Sequence, residues 1–437
     1  MANPGGRRRA LRVGVAAVAM VLVAEGAVWL LRPREPLIEP APVSEGDYFT
    51  AAQIERGEAY RDGQLWLVLA AVGAQGAVLV SLALGRPGAA RRALERLEER
   101  PVLGAAAAGA GISVALALAG LPAGAAAHER AVDYGVSTQS GGFWLADVGK
   151  SAAIGAVLSG AGAAALIALV RRFAGRWWLP GSVAVVALAT VFVWLAPVVL
   201  APIFNRFTPL PATSTARSEV LALGRRAGVD IGQVYRVDAS RRVRSLNAYV
   251  DGIGSTNRVV LYDNLLERTN RPELRSVVAH ELGHVKHDDI LRGLAFVALV
   301  APLGLVFARE LAETLLRRSG ERPRGRASLL RRFGESSRGP TALPAYAVGL
   351  ALAGVVLGVP GNQLSRRVEA SADTFALQIT RDPEGMIQLQ RRLVLSSVAD
   401  PDPPDLVTAL IGTHPPAVER IGAAVAYRRE TGTPTHG

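Results

Sequence analysis

Residues 280 to 284 read His-Glu-Leu-Gly-His. On an α-helix two histidines four apart lie one above the other on the same face, so His280 and His284 can grip one Zn2+ from one side. Glu281 then points beside the metal, where its carboxylate can take a proton from a zinc-bound water. Two His ligands and a Glu base are the groups by which metal-activated water hydrolyses a peptide bond. The competing reading is a helix with two solvent or core histidines, and the neighbourhood favours the metal. The chain has no cysteine, so further zinc ligands must be His or carboxylate. Residues 365–376 read as a helix on which Glu369 and Asp373, four apart, share a face. The first can bind zinc while the second hydrogen-bonds a ligand histidine or a reacting group. Alone, such an acidic pair is an ordinary solvated face; its position downstream of H-E-x-x-H gives it the metal reading.

The elements that must hold these groups can be read around them. Asn270, Pro272 and Glu273 form an N-cap, an early proline and a capping-box acid, which predicts a helix over Arg271–Asp288 with Val277, Val278 and Leu282 on its buried stripe. Its charges, Glu273, Arg275, Lys286, Asp288 and Asp289, exclude a helix centred in lipid and put the zinc site in a water-accessible domain or cavity. Upstream, a helix over Ser214–Ala227 precedes a strand over Gln233–Asp238. The run 245–252, a turn over 252–257 and the β-rich Arg258–Tyr262 then complete a hairpin feeding the zinc helix. This is a small α+β unit. Asn247–Val250 is its candidate edge strand, on which a substrate would pair as an added strand; an ordinary sheet strand explains the pattern equally well.

Half of the 437 residues are hydrophobic. Seven apolar runs approach or exceed the ~20 residues that a bilayer requires: Leu11–Leu31, Leu65–Leu84, Val102–Ala125, Ser151–Val170, Leu179–Ile203, Leu291–Ala308 and Ala345–Val359. The first is expected to be a retained anchor, since no small-residue cleavage exit follows it. The last is short and meets Pro360-Gly361, where it would tilt, kink or end in a protein-lined cavity. The third and fourth are rich in Ala and Gly and should pack in a bundle. The chain is therefore expected to be a multi-span α-helical integral membrane protein of a bacterial plasma membrane. A membrane-helical domain of five spans would occupy residues 1–204, and a zinc domain interrupted by two further spans (about 291–308 and 345–359) residues 205–437. The net charge of +12 is almost all Arg, with lysine only at Lys150 and Lys286. Its Arg clusters sit at the ends of apolar segments and no nucleic-acid motif is present, so the expected partners are a lipid bilayer and a peptide or protein substrate, not nucleic acid.

The pieces Asn247-Ala248-Tyr249, His280-Glu281-Leu282-Gly283-His284, the helix from Ser365-Arg366 to Asp373, and Thr413-His414-Pro415-Pro416 resemble, in that order, the integral-membrane zinc metalloproteases (gluzincins) of the CAAX prenyl protease type 1 family. The stretch from Asp47-Tyr48-Phe49 to Tyr60-Arg61 resembles that family's amino-terminal region. The resemblance implies one zinc per chain held by His280, His284 and Glu369, with Glu281 as general base. It implies that Asp373 is a proton donor or an orienting partner, the latter being easier because an ionised Asp near a cation donates poorly. It further implies that His414 stabilises the oxyanion, with Arg420 in the adjoining motif and Asn247, Ala248 and Tyr249 binding substrate. Without the resemblance His414 reads as a helix-start residue before Pro415-Pro416. His287 is either a supporting partner or a surface histidine. The implied architecture is about seven helices enclosing a chamber, capped by a small α+β zincin-like domain. Cleavage after a prenylated cysteine is not carried over.

With seven spans, Arg7, Arg8, Arg9 and Arg12, the 86–100 loop, Arg171, Arg172 and Arg176, and the 309–338 loop all fall on one side. The positive-inside rule makes that side cytoplasmic and puts the zinc domain outside, whereas the resemblance implies the cytoplasmic side. Two further classes compete: a quality-control protease of damaged membrane proteins, which would have fewer spans ahead of the zinc helix, and a membrane sensor or transporter with a structural zinc, which would have no use for Glu281.

Overall fold

The computed structural model describes residues 4–85, 87–252, 257–319 and 338–432. In chain order the helices are α1 (Pro4–Leu31), α2 (Ala51–Ala83), α3 (Gly88–Arg96), α4 (Pro101–Asp133), α5 (Gly141–Phe173), α6 (Trp178–Leu195), α7 (Ala201–Phe204), α8 (Thr215–Ala227), α9 (Asp263–Arg268), α10 (Arg271–Lys286), α11 (Asp289–Ser319), α12 (Leu343–Thr380), α13 (Pro383–Ser397), α14 (Asp405–Ile411) and α15 (Ala417–Thr431). Among the described residues, seven helical segments are long and apolar enough to cross a bilayer. They lie in α1, α2, α4, α5, α6–α7, α11 and α12, where the seven apolar runs predict them.

The helices outrun those apolar stretches. α2, α4 and α5 each have 33 residues, about 50 Å at 1.5 Å per residue against a hydrocarbon core of ~30 Å. The surplus of α2 is its polar start, residues 51–64. There Thr50 and Gln53 close a capping box and Arg61 pairs with Asp400, in the connection between α13 and α14. α4 and α5 pack closely, as their small residues predict: a Cβ on Gly109 would lie 2.5 Å from the Cβ of Ala163 and 2.6 Å from the Ser159 carbonyl oxygen.

Of the outcomes open at Pro360-Gly361, an end to the helix does not occur. A single helix of 38 residues carries both the seventh span and the Glu369–Asp373 face. Proline removes one N–H from a helix, and inside a packed bundle neighbouring groups tolerate that loss. Glu369 therefore sits on the same rod that crosses the membrane.

The soluble unit holds a sheet of four strands, β1 (Phe207–Pro209), β2 (Gln233–Val237), β3 (Ala248–Asp251) and β4 (Arg258–Tyr262), in the order β1-β2-β4-β3. β3 and β4 form the predicted antiparallel hairpin, with Ala248 opposite Leu261; β2 lies parallel to β4, and β1 is a short antiparallel addition with no strong sequence signal. β3 is consequently an edge strand. One sheet face supplies Val234, Val259 and Leu261 to a core with Val220 and Leu223 of α8 and Val278 and Leu282 of α10. A second core joins Phe49, from the connection between α1 and α2, to Ala376 and Leu377 of α12, Met386 of α13 and Ile421 of α15.

The connections α1–α2 and α4–α5 and the entry to the sheet lie on the side of the metal-binding domain. Ala41 N–H donates to the Gly422 carbonyl at 3.0 Å, and Arg244 N–H donates to the Val136 carbonyl at 2.9 Å. The other ends meet on the opposite face, where Glu98 accepts from Thr341 N–H at 3.0 Å and Arg171 donates to the Arg338 carbonyl at 3.4 Å. Most of the arginines of the 309–338 loop lie outside the described residues.

Candidate active site

α10 begins where its signals place it. Asn270 Oδ1 accepts from Glu273 N–H and Glu273 Oε2 from Asn270 N–H, both at 2.9 Å, and Arg392 donates to the other oxygen of this buried Glu273 at 2.9 Å. The helix ends at Lys286, two residues before the predicted Asp288, which takes φ 53°. Gly283 of the pentapeptide is where α10 meets α12. A Cβ there would lie 3.1 Å from the Ala372 Cα, so this residue allows the close approach that brings Glu369 to the two histidines.

The donor atoms of His280, His284 and Glu369 all lie within 4.8 Å of one another. The two Nε2 atoms are 3.2 Å apart, and His280 Nε2 is 3.2 Å from Glu369 Oε2. Each outer ring nitrogen is engaged by a carboxylate: His280 Nδ1 with Asp373 Oδ1 at 2.8 Å, His284 Nδ1 with Asp289 Oδ2 at 2.9 Å. With Nδ1–H donated outward, both Nε2 lone pairs face the same point. Glu369 Oε2 is buried without a hydrogen-bond partner. Two imidazole lone pairs and an orphaned carboxylate oxygen at one locus fit a divalent cation with one position left open.

The charges around this point are compensated. Arg420, on α15, grips Asp373 with two hydrogen bonds, Nε to Oδ2 at 2.7 Å and Nη2 to Oδ1 at 2.6 Å, and the two side chains are 12% and 5% exposed. Burial alone would lower the His280 pKa, yet the charge and hydrogen bond of Asp373, with Glu369, hold it well above the ordinary histidine range. A cation must displace that proton. The Glu281 pKa is also raised, above the ordinary carboxylate range: withdrawal from water raises it, and the neighbouring histidines only partly offset this.

A cavity of about 500 Å3 opens onto these groups. His280, Glu281, Arg420 and His414 line one side; Leu246, Val277, Met386 and Leu389 make an apolar wall, and Asn247 forms a rim. His414 is 58% exposed, with Nε2 3.3 Å from Glu369 Oε2 and Nδ1 2.9 Å from Thr413 Oγ1. Of the three residues assigned to substrate, Asn247 lines the cavity. Ala248 is buried in the sheet core and Tyr249 packs on the other sheet face. His287 faces away from the metal locus, its Nδ1 3.1 Å from Ser371 Oγ on α12 and its ring against Phe375.

Two supporting residues escape the sequence reading. Asp289, five residues beyond His284, carries that histidine and is itself held by Arg292 at 2.7 Å. Its position just past the helix end was the only available signal. Arg366 donates to the carbonyls of Thr408, at 2.8 Å, and Gly412, at 2.6 Å, tying the loop before His414 to α12. Nothing in local sequence announces that contact.

A helical membrane bundle bearing a His-His-Glu centre beside a half-buried glutamate and a peptide-sized cleft defines the class: a multi-pass membrane metalloendopeptidase. Residues 213–428 match Peptidase family M48, and residues 129–206 match the CAAX prenyl protease N-terminal region of five membrane helices. The chain belongs to Peptidase family M48. It is 28% identical over 327 residues to the metalloprotease YhfN of Bacillus subtilis, an alignment spanning 74% of this chain and 73% of that one. It is 30% identical over 243 residues to a CAAX prenyl protease 1 homolog of Oryza sativa subsp. japonica, covering 54% of this chain and 53%, about half, of the plant protein. In fold it is similar to the crystal structure of S. mikatae Ste24p, with a TM-score of 0.72 over 97% of this chain and 100% of that one, at 17% identity.

Proposed function

We propose that this protein is a zinc-dependent membrane endopeptidase in which Glu281 is the general base. The observation that carries the reading is the convergence of two outward-anchored histidines and an unpartnered carboxylate oxygen beside Glu281. His280 Nε2, His284 Nε2 and Glu369 would hold the ion; imidazole nitrogens with a carboxylate oxygen suit Zn2+. Zinc in such a set polarises the scissile carbonyl and lowers the pKa of water. Asp373 and Asp289 accept from the outer ring nitrogens and so orient the two imidazoles, and Arg420 neutralises Asp373. A peptide pairs along the outer edge of β3 and enters the cavity past Asn247. Glu281 takes a proton from water as its oxygen adds to the carbonyl carbon, then returns that proton to the amine as the C–N bond breaks. His414, beside Glu369, donates a hydrogen bond to the carbonyl oxygen as negative charge develops there.

The test is Glu281→Gln, which keeps the shape but cannot accept the proton. The purified variant should bind one zinc per chain like wild type and lose about 10²–10⁴-fold in peptide turnover. Substrates would be found by mass spectrometry of membranes holding either the wild-type protein or the Glu281→Gln variant. Wild-type turnover by the zinc-loaded variant would refute Glu281 as base.

A further inference from the structure

The segment that leads into β3 is held by the membrane bundle. Asp147, on α5 just ahead of the fourth apolar run, is 14% exposed and accepts from Arg242 Nε at 3.0 Å and Nη2 at 3.4 Å. Lys150 and Gln139 donate to the same carboxylate, at 3.1 and 2.9 Å. Arg242 is 15% exposed, lies over the Phe143 ring and donates to Asn205 at the end of α7, 3.1 Å away. Around this pair the α4–α5 connection adds a short antiparallel ladder. Ser137 faces Val243, Thr138 N–H donates to the Arg242 carbonyl at 3.0 Å, and Arg244 N–H donates to the Val136 carbonyl. From the other side the buried Asn264 side chain donates to the carbonyls of Val243, at 3.1 Å, and Ser245, at 3.0 Å. Residues 242–245 are thus clamped between the bundle and the domain, and the next residues, Leu246 and Asn247, line the cleft.

None of these groups touches the metal locus, so the chemistry has no need of them. Removing one partner of a little-exposed ion pair leaves the other charge uncompensated, so the Asp147–Arg242 pair fixes the two elements that carry it. We propose that the Asp147–Arg242 pair is a positioning device: it ties residues 242–247, and with them the substrate-pairing edge of β3, to the membrane spans, so that a peptide is presented in fixed register with the bundle. The idea rests on the endopeptidase reading above. A strand-pairing edge contributes equally to ground state and transition state, so loosening it should raise KM and leave kcat alone, unlike any change at the metal.

The test uses the full chain in detergent or nanodiscs. Asp147→Asn keeps size and loses charge; Asp147→Glu restores the carboxylate. Asp147→Asn should raise KM about tenfold with kcat changed less than about twofold, zinc content unchanged and Asp147→Glu closer to wild type. Hydrogen exchange should accelerate in peptides covering 242–251 and stay constant in those covering 271–286. Unchanged KM and unchanged exchange at 242–251 would overturn the proposal. So would loss of zinc with faster exchange in both regions, which marks a merely structural role. Should the wild type cleave no peptide, the endopeptidase reading falls on its own; exchange confined to 242–251 would then still support the coupling, and its absence would refute it.

Discussion

Removing Asp373 should damage the protein in two separable ways. Its carboxylate accepts from His280 at 2.8 Å and from Arg420 at 2.6 and 2.7 Å, in surroundings that leave 5% of the aspartate side chain exposed. Asp373→Ala leaves a largely buried guanidinium, 12% exposed, without its counter-ion, a loss of up to about 3 kcal/mol. It also strips His280 Nδ1 of its acceptor, and loss of such an orienting partner typically costs about 10–100-fold in metal affinity, or about 1.4–2.7 kcal/mol. Adding Arg420→Met removes the orphaned charge and fills its space, so stability should return to within about 2 kcal/mol of wild type. Metal affinity should stay low, because His280 still lacks its acceptor. Denaturation of the metal-free proteins measures the first effect without the stabilisation that a bound ion would add; competition with a chromophoric chelator measures the second. The reasoning fails if metal-free Asp373→Ala is as stable as wild type, or if Arg420→Met restores metal affinity along with stability.

Gly283→Val should abolish tight metal binding while leaving the bundle folded, because its branched side chain meets the Ala372 backbone 3.1 Å from Cβ; full metal occupancy would show that α10 and α12 can part without losing the site. His414→Ala should lower kcat about 10²–10³-fold with KM and zinc content nearly unchanged, since the charge it faces exists only in the transition state. Unaltered kcat with a lowered melting temperature would make His414 a loop residue only. With the Arg-bearing span ends on one face, the positive-inside rule places the cleft on the opposite, non-cytoplasmic side. The chain has no cysteine, so single cysteines at Thr138 and Arg92 can be labelled in whole cells with an impermeant maleimide: labelling at 138 alone is expected, and labelling at 92 alone would reverse the topology.

What sequence makes legible here is local. The H-E-x-x-H pair, the Asn270–Glu273 box, the hairpin and the seven apolar runs are set by contacts a few residues apart or by composition, and each is where its signal puts it. The pairing of Glu369 with His280 needed a fold that brings α12 across α10, and family resemblance supplied it. Asp289, Arg366 and the Asp147–Arg242 pair stayed hidden for a physical reason. A charged side chain announces no partner, and Arg242 lies 95 residues from Asp147. Whether the helix would end at Pro360 was not legible, because proline's effect depends on what surrounds the helix, which sequence does not display.

The metal centre is consequently inseparable from the bundle. Glu369 and Asp373 stand on the rod that makes the seventh span, and His284 is oriented by Asp289, the first residue of the helix that makes the sixth. The connection between the first two spans then closes over the back of the site, where Ile38 N–H donates to Thr374 Oγ1 at 3.2 Å and Arg391 donates to the Tyr48 carbonyl at 2.9 Å. A shift of either span moves a ligand or its orienting carboxylate, and geometry within about 0.5 Å decides whether such a site works. The bundle is thus part of the scaffold that positions the candidate site as well as its anchor, because the helix that bears Glu369 and Asp373 also carries the seventh span.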